Sequence, residues 1–325
     1  MLDNKFYTAQ PAGDNATLLY QEYRKLLLTN MLGYLRSIQT SLGIDISLLI
    51  QKYEELDSTQ RFSPAIFNLF SKLTHSANQG EVPAIIDALH LLNMLDENEI
   101  LKSEFRFSTI LTENWETDFV NKIRSEHIPS KSGEKTLVFP ILSPDLSLYQ
   151  GLFSNLKAQL KQIDFDFYQE LESYVTRVKL FNGKALKAAT SASVFGAIYL
   201  KLPPETENSE AYFADHIIHE TSHLHLDILL AFDKIILNQE AEKFQAPIRI
   251  DPRPMFGIFH ATFVLSRMVR LFQRIIKDTP KQEYIDRLDT FRSQFDQGLE
   301  TIEKHAVLTE NGQRIKSSFV QAAEI

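Results

Sequence analysis

Ser193-Val-Phe-Gly-Ala-Ile-Tyr-Leu200 and the segment that follows it decide the fold class. The quoted stretch is rich in β-branched and aromatic residues, which predicts a β-strand. A polar connection over 202–209 ends in residue types favoured at helix N-caps, and the apolar periodicity beyond it predicts a helix over 209–237. Because most of the remaining chain has helical patterning, we predict a mostly α protein with a small β-sheet, of the α+β class.

Helical periodicity also marks several other stretches. They are 18–38, 46–56, 64–74, 82–95, 145–180, 256–277 and 281–306. The Pro-punctuated segment 246–254 is predicted to be extended, because a residue before proline is pushed out of the helical region. The segment 128–135 has the composition of an exposed loop. We therefore divide the chain into an N-terminal helical region, 1–135, and a catalytic region, 136–325.

Composition excludes several functional classes. The chain has 325 residues, no cysteine and a net charge of −8. Without cysteine there is no disulfide framework, no Cys-ligated metal and no thiol nucleophile. The negative charge argues against non-specific nucleic-acid binding. No run of 18 apolar residues is present, and the first residues lack the basic-then-apolar order of a signal peptide. We expect a cytoplasmic protein with neither a nucleic-acid nor a membrane partner.

The residues that carry chemistry lie in Asp215-His216-Ile-Ile-His219-Glu220-Thr-Ser-His223-Leu-His225. This segment contains an HExxH motif on the predicted helix. Side chains four residues apart on a helix lie about 40° apart and one turn along, so His219 and His223 can reach one divalent metal. In metalloproteases the Glu of this motif takes a proton from metal-bound water, which makes Glu220 the candidate catalytic residue.

Three neighbours of the motif have different expected positions. His216 lies about 60° from His219 on the helix and is a candidate substitute ligand or substrate contact. His225 lies about 240° from His219 and should point away. Asp227 is four residues beyond His223 on the same face, where a carboxylate can orient a metal ligand.

A third metal ligand would decide the class of enzyme. The metzincin pattern HExxHxxGxxH is excluded, because Leu226 and Leu229 occupy its Gly and last His positions. The gluzincin pattern HExxH-x18-E places a Glu at position 242, and Glu242 is present. The rival ligand is His260, at the start of a predicted helix. The sequence leaves both possibilities open.

His260 is accompanied by two candidate carboxylate-binding arginines. Arg253 lies in the Pro-rich loop before it, and Arg267 is seven residues after it, on the same helix face. A guanidinium binds a carboxylate through two parallel hydrogen bonds. This arrangement suits a metal enzyme with an anionic cosubstrate better than it suits a peptidase.

These motifs resemble those of a known family. The HExxH at 219–223, the preceding Phe195-Gly-Ala-Ile-Tyr-Leu200 and the downstream Arg-Pro-x-x-Gly-x-x-His of 253–260 are similar to the HExxH-domain proteins of peptide natural-product (RiPP) clusters. That family is viewed as 2-oxoglutarate-dependent HExxH-type peptide β-hydroxylases. The resemblance covers roughly 140–300, and the N-terminal helical region has no counterpart in it.

The resemblance implies an oxidoreductase, a dioxygenase that hydroxylates Cβ of a residue in a peptide. It implies that His219, His223 and His260 bind Fe(II), and that 2-oxoglutarate binds the same metal with an Arg on its distal carboxylate. Three histidines depart from the two-His-one-carboxylate triad usual in non-haem oxygenases. The partner would be a peptide substrate, with or without a leader segment. The predicted strand at 193–200 is either an internal strand of the sheet or an edge with which an extended peptide can pair.

Two other classes remain open. One is a zinc hydrolase of gluzincin type, in which His219, His223 and Glu242 hold zinc and Glu220 is the general base. The other is a non-catalytic protein whose HExxH helix binds a partner or a structural metal.

Overall fold

Helices make up most of the computed structural model, and a small mixed sheet completes it, so the predicted α+β class is confirmed. The structure describes residues 2–101, 104–125, 136–142, 145–248 and 251–324.

Five helices precede the sheet in the chain. They are α1 (Ala16–Leu42), α2 (Ser47–Glu54), α3 (Pro64–Gln79), α4 (Val82–Met94) and α5 (Glu97–Ile100). Pro64 and Pro83 lie in the first turns of α3 and α4, where a missing N–H costs least. Gly43 and Gly80 end α1 and α3 in the left-handed conformation that glycine adopts without strain. The helices predicted in this region are therefore confirmed.

The sheet is built around one long central strand. Its strands are β1 (Arg106–Thr109), β2 (Leu137–Phe139), β3 (Arg177–Lys184), β4 (Ala188–Ala189) and β5 (Ala197–Lys201), with α6 (Glu116–Ser125) between the first two. The order is β1-β3-β5-β4, and β2 also pairs with β3. β3 runs parallel to β1 and β5, whereas β2 and β4 are antiparallel to their neighbours.

The strand predicted over 193–200 is present as β5 but begins later. Ala192–Val194 forms a single 3-10 turn, and Gly196, at φ 92°, leads the chain into the strand. β5 is paired on both sides, with β3 and with β4. Of the two alternatives for this strand, the free edge for a peptide is therefore wrong.

The strand β3 was not predicted, because 145–180 was assigned to helix. The segment forms α7 (Ser147–Ile163) and α8 (Phe165–Tyr174) and then enters β3. Two charged residues of the strand, Arg177 and Lys179, are buried, and Lys179 pairs with Glu113 and Glu116 at 2.6 and 2.5 Å. Charged side chains on a buried strand break the apolar pattern by which such a strand is recognised.

The remaining helices carry most of the candidate residues. They are α9 (Ser209–Phe232), α10 (Met255–Asp278), α11 (Gln282–His305) and α12 (Glu310–Ala322), with the short pair β6 (Lys243–Phe244) and β7 (Arg253–Pro254) between α9 and α10. α9 ends five residues earlier than predicted, because the Asp233 carboxylate accepts hydrogen bonds from the Thr309 hydroxyl and the Asn311 amide. α12 was not predicted. The segment 246–254 was predicted to be extended, and its residues 249–250 lie outside the described residues.

One hydrophobic core includes residues from both predicted regions. Leu19 and Met31 of α1 belong to the same buried cluster as Ile217 of α9 and Phe263 of α10. β1, from before the predicted boundary, pairs with β3, from after it. The boundary at 135 and the predicted loop 128–135 lie outside the described residues.

Helix α10 is long and apolar enough to cross a membrane by length and composition alone. However, 78% of its most apolar window is buried inside the fold. Such burial is typical of the core helix of a soluble protein.

Candidate metal centre

Helix α9 is buried over most of its surface, but one stripe stays partly exposed. The stripe consists of Asp215, His219, His223 and Asp227, at four-residue steps. Side chains at this spacing share one face of a helix. The two HExxH histidines therefore lie between two carboxylates on a partly exposed stripe of α9.

The structure brings His260 of α10 to the two HExxH histidines. The Nε2 atoms of His219 and His223 are 2.9 Å apart, and the ring centroids of His223 and His260 are 4.7 Å apart. The Nε2 atom of His260 is buried and has no hydrogen-bond partner among the described residues. Two nitrogen ligands about 2.1 Å from one metal are about 3.0–3.4 Å apart. The His219–His223 spacing is close to this range, and His260 adjoins the pair.

The three rings are adjacent without forming a finished coordination shell. Within the parts of the chain that the structure describes, no group of three or more His or carboxylate side chains has the geometry to hold a metal ion. The metal site predicted on α9 therefore stays a prediction.

All three histidines are held in the neutral state that a metal requires. Burial lowers the pKa of His219 to about 4, and burial together with His219 lowers the pKa of His260 to about 4. Burial, with the two neighbouring histidines, lowers the pKa of His223 well below its ordinary value. Metal ions bind the neutral imidazole, so no proton has to be displaced near pH 7.

Glu220 lies in the wall of a cavity of about 810 Å³, which we call the Arg287 cavity. Its polar lining includes Lys187, Asp215, His216, His219, Glu220 and Arg287. Burial raises the pKa of Glu220 to about 8. A carboxyl beside His219 and open to a cavity is in a position to exchange a proton with a molecule bound there.

His216 also faces the Arg287 cavity, so it belongs to the cavity wall. Its Nδ1 atom is 3.8 Å from Asp215, and its ring meets Tyr212 edge to face, with the centroids 4.3 Å apart. The predicted role as a substrate contact fits this position.

His225 points to the opposite side of α9, into a buried ionic cluster that we call the Glu170 cluster. The Nδ1 atom of His225 lies 3.0 Å from the Glu170 carboxylate and 3.2 Å from the Tyr174 hydroxyl. The guanidinium of Arg267 pairs with the other oxygen of Glu170. Arg267 is fully buried, and Phe167 lies over its guanidinium.

Arg267, which the sequence suggested as the residue that binds the carboxylate of a cosubstrate, is therefore already paired within the Glu170 cluster. Its charge is neutralised by a carboxylate of the protein itself, at a position closed to solvent. The structure does not bring Arg267 to the three histidines in any described contact.

Arg253, the second suggested arginine, lies on β7 at the start of α10. Its Nε atom is 2.9 Å from Asp251, and both side chains are about one-third exposed. A Cβ atom added at Gly257 would meet the Arg253 side chain at 3.7 Å. Gly257, in the first turn of α10, is therefore a neighbour of the Arg253 Cβ atom.

Glu242, the rival third ligand, is exposed. Its described hydrogen bond comes from the side-chain amide of Asn238, at 3.2 Å. His260, in contrast, is in ring contact with His223. Of the two alternatives for a third ligand, only His260 has a described contact with the HExxH histidines.

A second cavity, of about 720 Å³, lies beyond His223 along α9, and we call it the Asp227 cavity. The Asp227 carboxylate has neither a hydrogen bond nor an ion pair with any described residue. Burial raises its pKa to about 7. The predicted role of Asp227 in orienting a histidine has no described hydrogen bond to support it.

Comparison with known proteins adds no relative. No protein-family model matches the chain, and no curated protein sequence matches it.

Sequence patterns did not identify several residues of the two cavities. Lys187 and Arg287 line one, and Tyr23 and Phe256 line the other. They come from four separate segments, and no local motif links them to the HExxH helix. Lys187 precedes β4, Arg287 lies on α11, Tyr23 on α1 and Phe256 on α10, so only the tertiary fold brings them to the two cavities.

Proposed function

We propose that this protein is an Fe(II)- and 2-oxoglutarate-dependent oxygenase that hydroxylates Cβ of a residue in a peptide, as in the modification of natural-product precursors. The observation that carries the proposal is the contact between His260 and the HExxH histidines. It joins the two motifs on which the family resemblance rests. A cytoplasmic location is part of the proposal.

The metal ligands would be His219, His223 and His260. All three are neutral near pH 7, and the buried Nε2 atom of His260 lacks a partner until an ion binds. Imidazole ligands suit iron and zinc alike, so the ligand set supports a transition-metal site without selecting the metal.

The cosubstrate carboxylate would be bound by Arg253. Its guanidinium is partly exposed and pairs only with Asp251 among the described residues, whereas Arg267 is enclosed by the Glu170 cluster. Gly257, between Arg253 and His260 in the sequence, lies next to the Cβ atom of Arg253. When bound, Fe(II) and 2-oxoglutarate supply oxygen activation coupled to decarboxylation of the cosubstrate to succinate.

The protein itself would position the substrate. The Arg287 cavity and the Asp227 cavity flank the histidines along α9, which suits a molecule longer than a single amino acid. His216 and Glu220 in one wall can bind polar groups of a peptide. Burial around the histidines limits access of water to the reacting position.

Anaerobic titration tests the proposal. The metal-free protein is titrated with Fe(II) and 2-oxoglutarate, and a visible charge-transfer band is expected on formation of the chelate. The band should disappear when oxygen is admitted, with formation of succinate. His260→Ala should abolish the band, while His90→Ala, which changes an exposed histidine on α4, should leave it intact. Equal bands in the parent and in His260→Ala would refute the assignment.

A zinc hydrolase is the second candidate, and the position of Glu220 favours it. Glu220 lines the same cavity as His219, where a general base for a metal-bound water would be needed. This version uses His260 in place of Glu242 as third ligand. Tight zinc binding, no Fe(II)–2-oxoglutarate band, and loss of peptide hydrolysis in Glu220→Gln with zinc retained would favour it.

A further inference from the structure

The Asp227 cavity combines an apolar wall with one unpaired acid. Its lining includes Tyr23, Leu230, Ile236, Met255 and Phe256, together with Asp227. Phe256 is also in edge-to-face contact with His260, with 5.4 Å between the ring centroids. The cavity therefore adjoins the histidine cluster through a shared aromatic side chain.

Asp227 is without a counter-charge, unlike the acid at the other end of the same stripe. Asp215 lies 3.6 Å from the guanidinium of Arg287. No described residue makes an ion pair or a hydrogen bond with Asp227, and only burial acts on its pKa. A partly buried carboxylate without a partner is unfavourable, and a cation that reaches it offsets this cost.

The other charges of the cavity lie at its rim. Lys234 and Glu240 are both exposed, and their opposite charges offset one another. Ionised Asp227 therefore sets the sign of the potential inside, and its pKa of about 7 makes this negative charge predominant above pH 7. Tyr23 and Phe256 also line the cavity and contribute apolar surface to its wall.

We propose that the Asp227 cavity binds the cationic side chain, lysine or arginine, of a peptide whose nearby residue is presented to the three histidines. The long apolar stem of such a side chain would lie against the apolar wall, with its charged end at Asp227. The peptide nature of the ligand rests on the proposed function. The preference for a cation rests on the cavity alone.

The test compares two peptides that differ in one ammonium group. Acetylated, amidated pentapeptides of alanine carry either lysine or norleucine at the central position, and calorimetry measures their binding to the full-length, zinc-loaded protein. The lysine peptide is expected to bind at least about tenfold more tightly than the norleucine peptide. Equal affinities would overturn the proposal, and this comparison needs no variant.

Two variants assign the preference to Asp227. Asp227→Asn keeps the shape of the side chain and should abolish the difference between the peptides. Glu240→Gln removes one negative charge from the rim of the same cavity and should change the ratio by less than about twofold, because exposed charges are screened. A lysine preference that survives Asp227→Asn would place the cation elsewhere and overturn the proposal.

Metal affinity separates this role from metal binding. Asp227→Asn should bind zinc as tightly as the parent. A large loss of zinc affinity would make Asp227 a metal ligand and overturn the proposal. Failure of the Fe(II)–2-oxoglutarate titration together with an intact lysine preference would refute the oxygenase and leave the cation cavity standing.

Discussion

The two faces of α9 hold histidines in opposite circumstances. On one face His219 and His223 contact each other, His223 contacts His260, and burial lowers the pKa values of the HExxH histidines. On the other face His225 contacts a Glu170 carboxylate that Arg267 also neutralises. The HExxH face presents imidazole nitrogen atoms that can bind a metal ion, whereas His225 on the other face is bonded within the Glu170 cluster.

This difference shows which polar groups of a buried helix remain available for function. A histidine paired with a buried carboxylate is held within the protein, whereas neutral histidines that contact one another can still bind a metal ion. His225 belongs to the same short sequence run as the HExxH histidines, but its rotation of about 240° around the helix places it in the structural cluster.

The largest effect is expected from breaking the Glu170 cluster. Arg267→Met removes the guanidinium and leaves the Glu170 carboxylate buried against the His225 ring, whose pKa burial lowers. The free energy of unfolding, measured in urea, should fall by roughly 3–5 kcal/mol. Arg36→Met breaks the exposed pair with Glu54 and should cost no more than about 1 kcal/mol. Similar losses in the two variants would contradict the structural role of the cluster.

The Glu170 cluster also predicts that the stability of the fold depends on pH. Arg267 and His225 overcome the effect of burial and lower the pKa of Glu170 to about 2. Because this pKa is below that of the unfolded chain, ionised Glu170 stabilises the fold above about pH 4.5, and the contribution is lost as the pH falls towards 2. The stability difference between the parent and Glu170→Gln should therefore be largest above pH 5 and shrink below pH 4. A stability difference between the two proteins that stays constant from pH 7 to pH 3 would contradict the lowered pKa of Glu170.

Metal affinity separates the two faces directly. His223→Ala should weaken binding of zinc by at least about 100-fold, because it removes a ligand from the proposed site. His225→Gln changes a histidine two residues away, on the opposite face, and should leave zinc affinity unchanged. Competition with a chromophoric chelator measures both values. If His223→Ala binds zinc as tightly as the parent, the metal site is elsewhere.

The smallest effect is expected at Tyr174. Its buried hydroxyl lies 3.2 Å from Nδ1 of His225, so Tyr174→Phe removes one buried hydrogen bond at the edge of the Glu170 cluster. The loss in free energy of unfolding should be about 0.5–1.5 kcal/mol, with no change in metal affinity. Thermal or urea unfolding of the zinc-free protein measures this loss. A loss in free energy of unfolding as large as that of Arg267→Met would show that Tyr174 contributes more than this one hydrogen bond.

The sequence predicted the fold where the pattern is local. The helices α1, α10 and α11 follow from apolar residues at three- and four-residue steps, and β5 follows from its β-branched and aromatic content. The strand β3 was not predicted, because Arg177 and Lys179 interrupt its apolar pattern although both are buried. Their partners, Glu113 and Glu116, lie more than 60 residues earlier in the chain.

The sequence by itself determined the chemistry on α9, because the helical period alone places His219 and His223 on one face and His225 on another. Only the tertiary structure decided between His260 and Glu242 as neighbour of that face, and only it placed Arg267 in a closed ion pair. The physical reason is that helix periodicity acts within one element, whereas the packing of α10 against α9 and the pairing of buried charges depend on contacts between residues far apart in the chain.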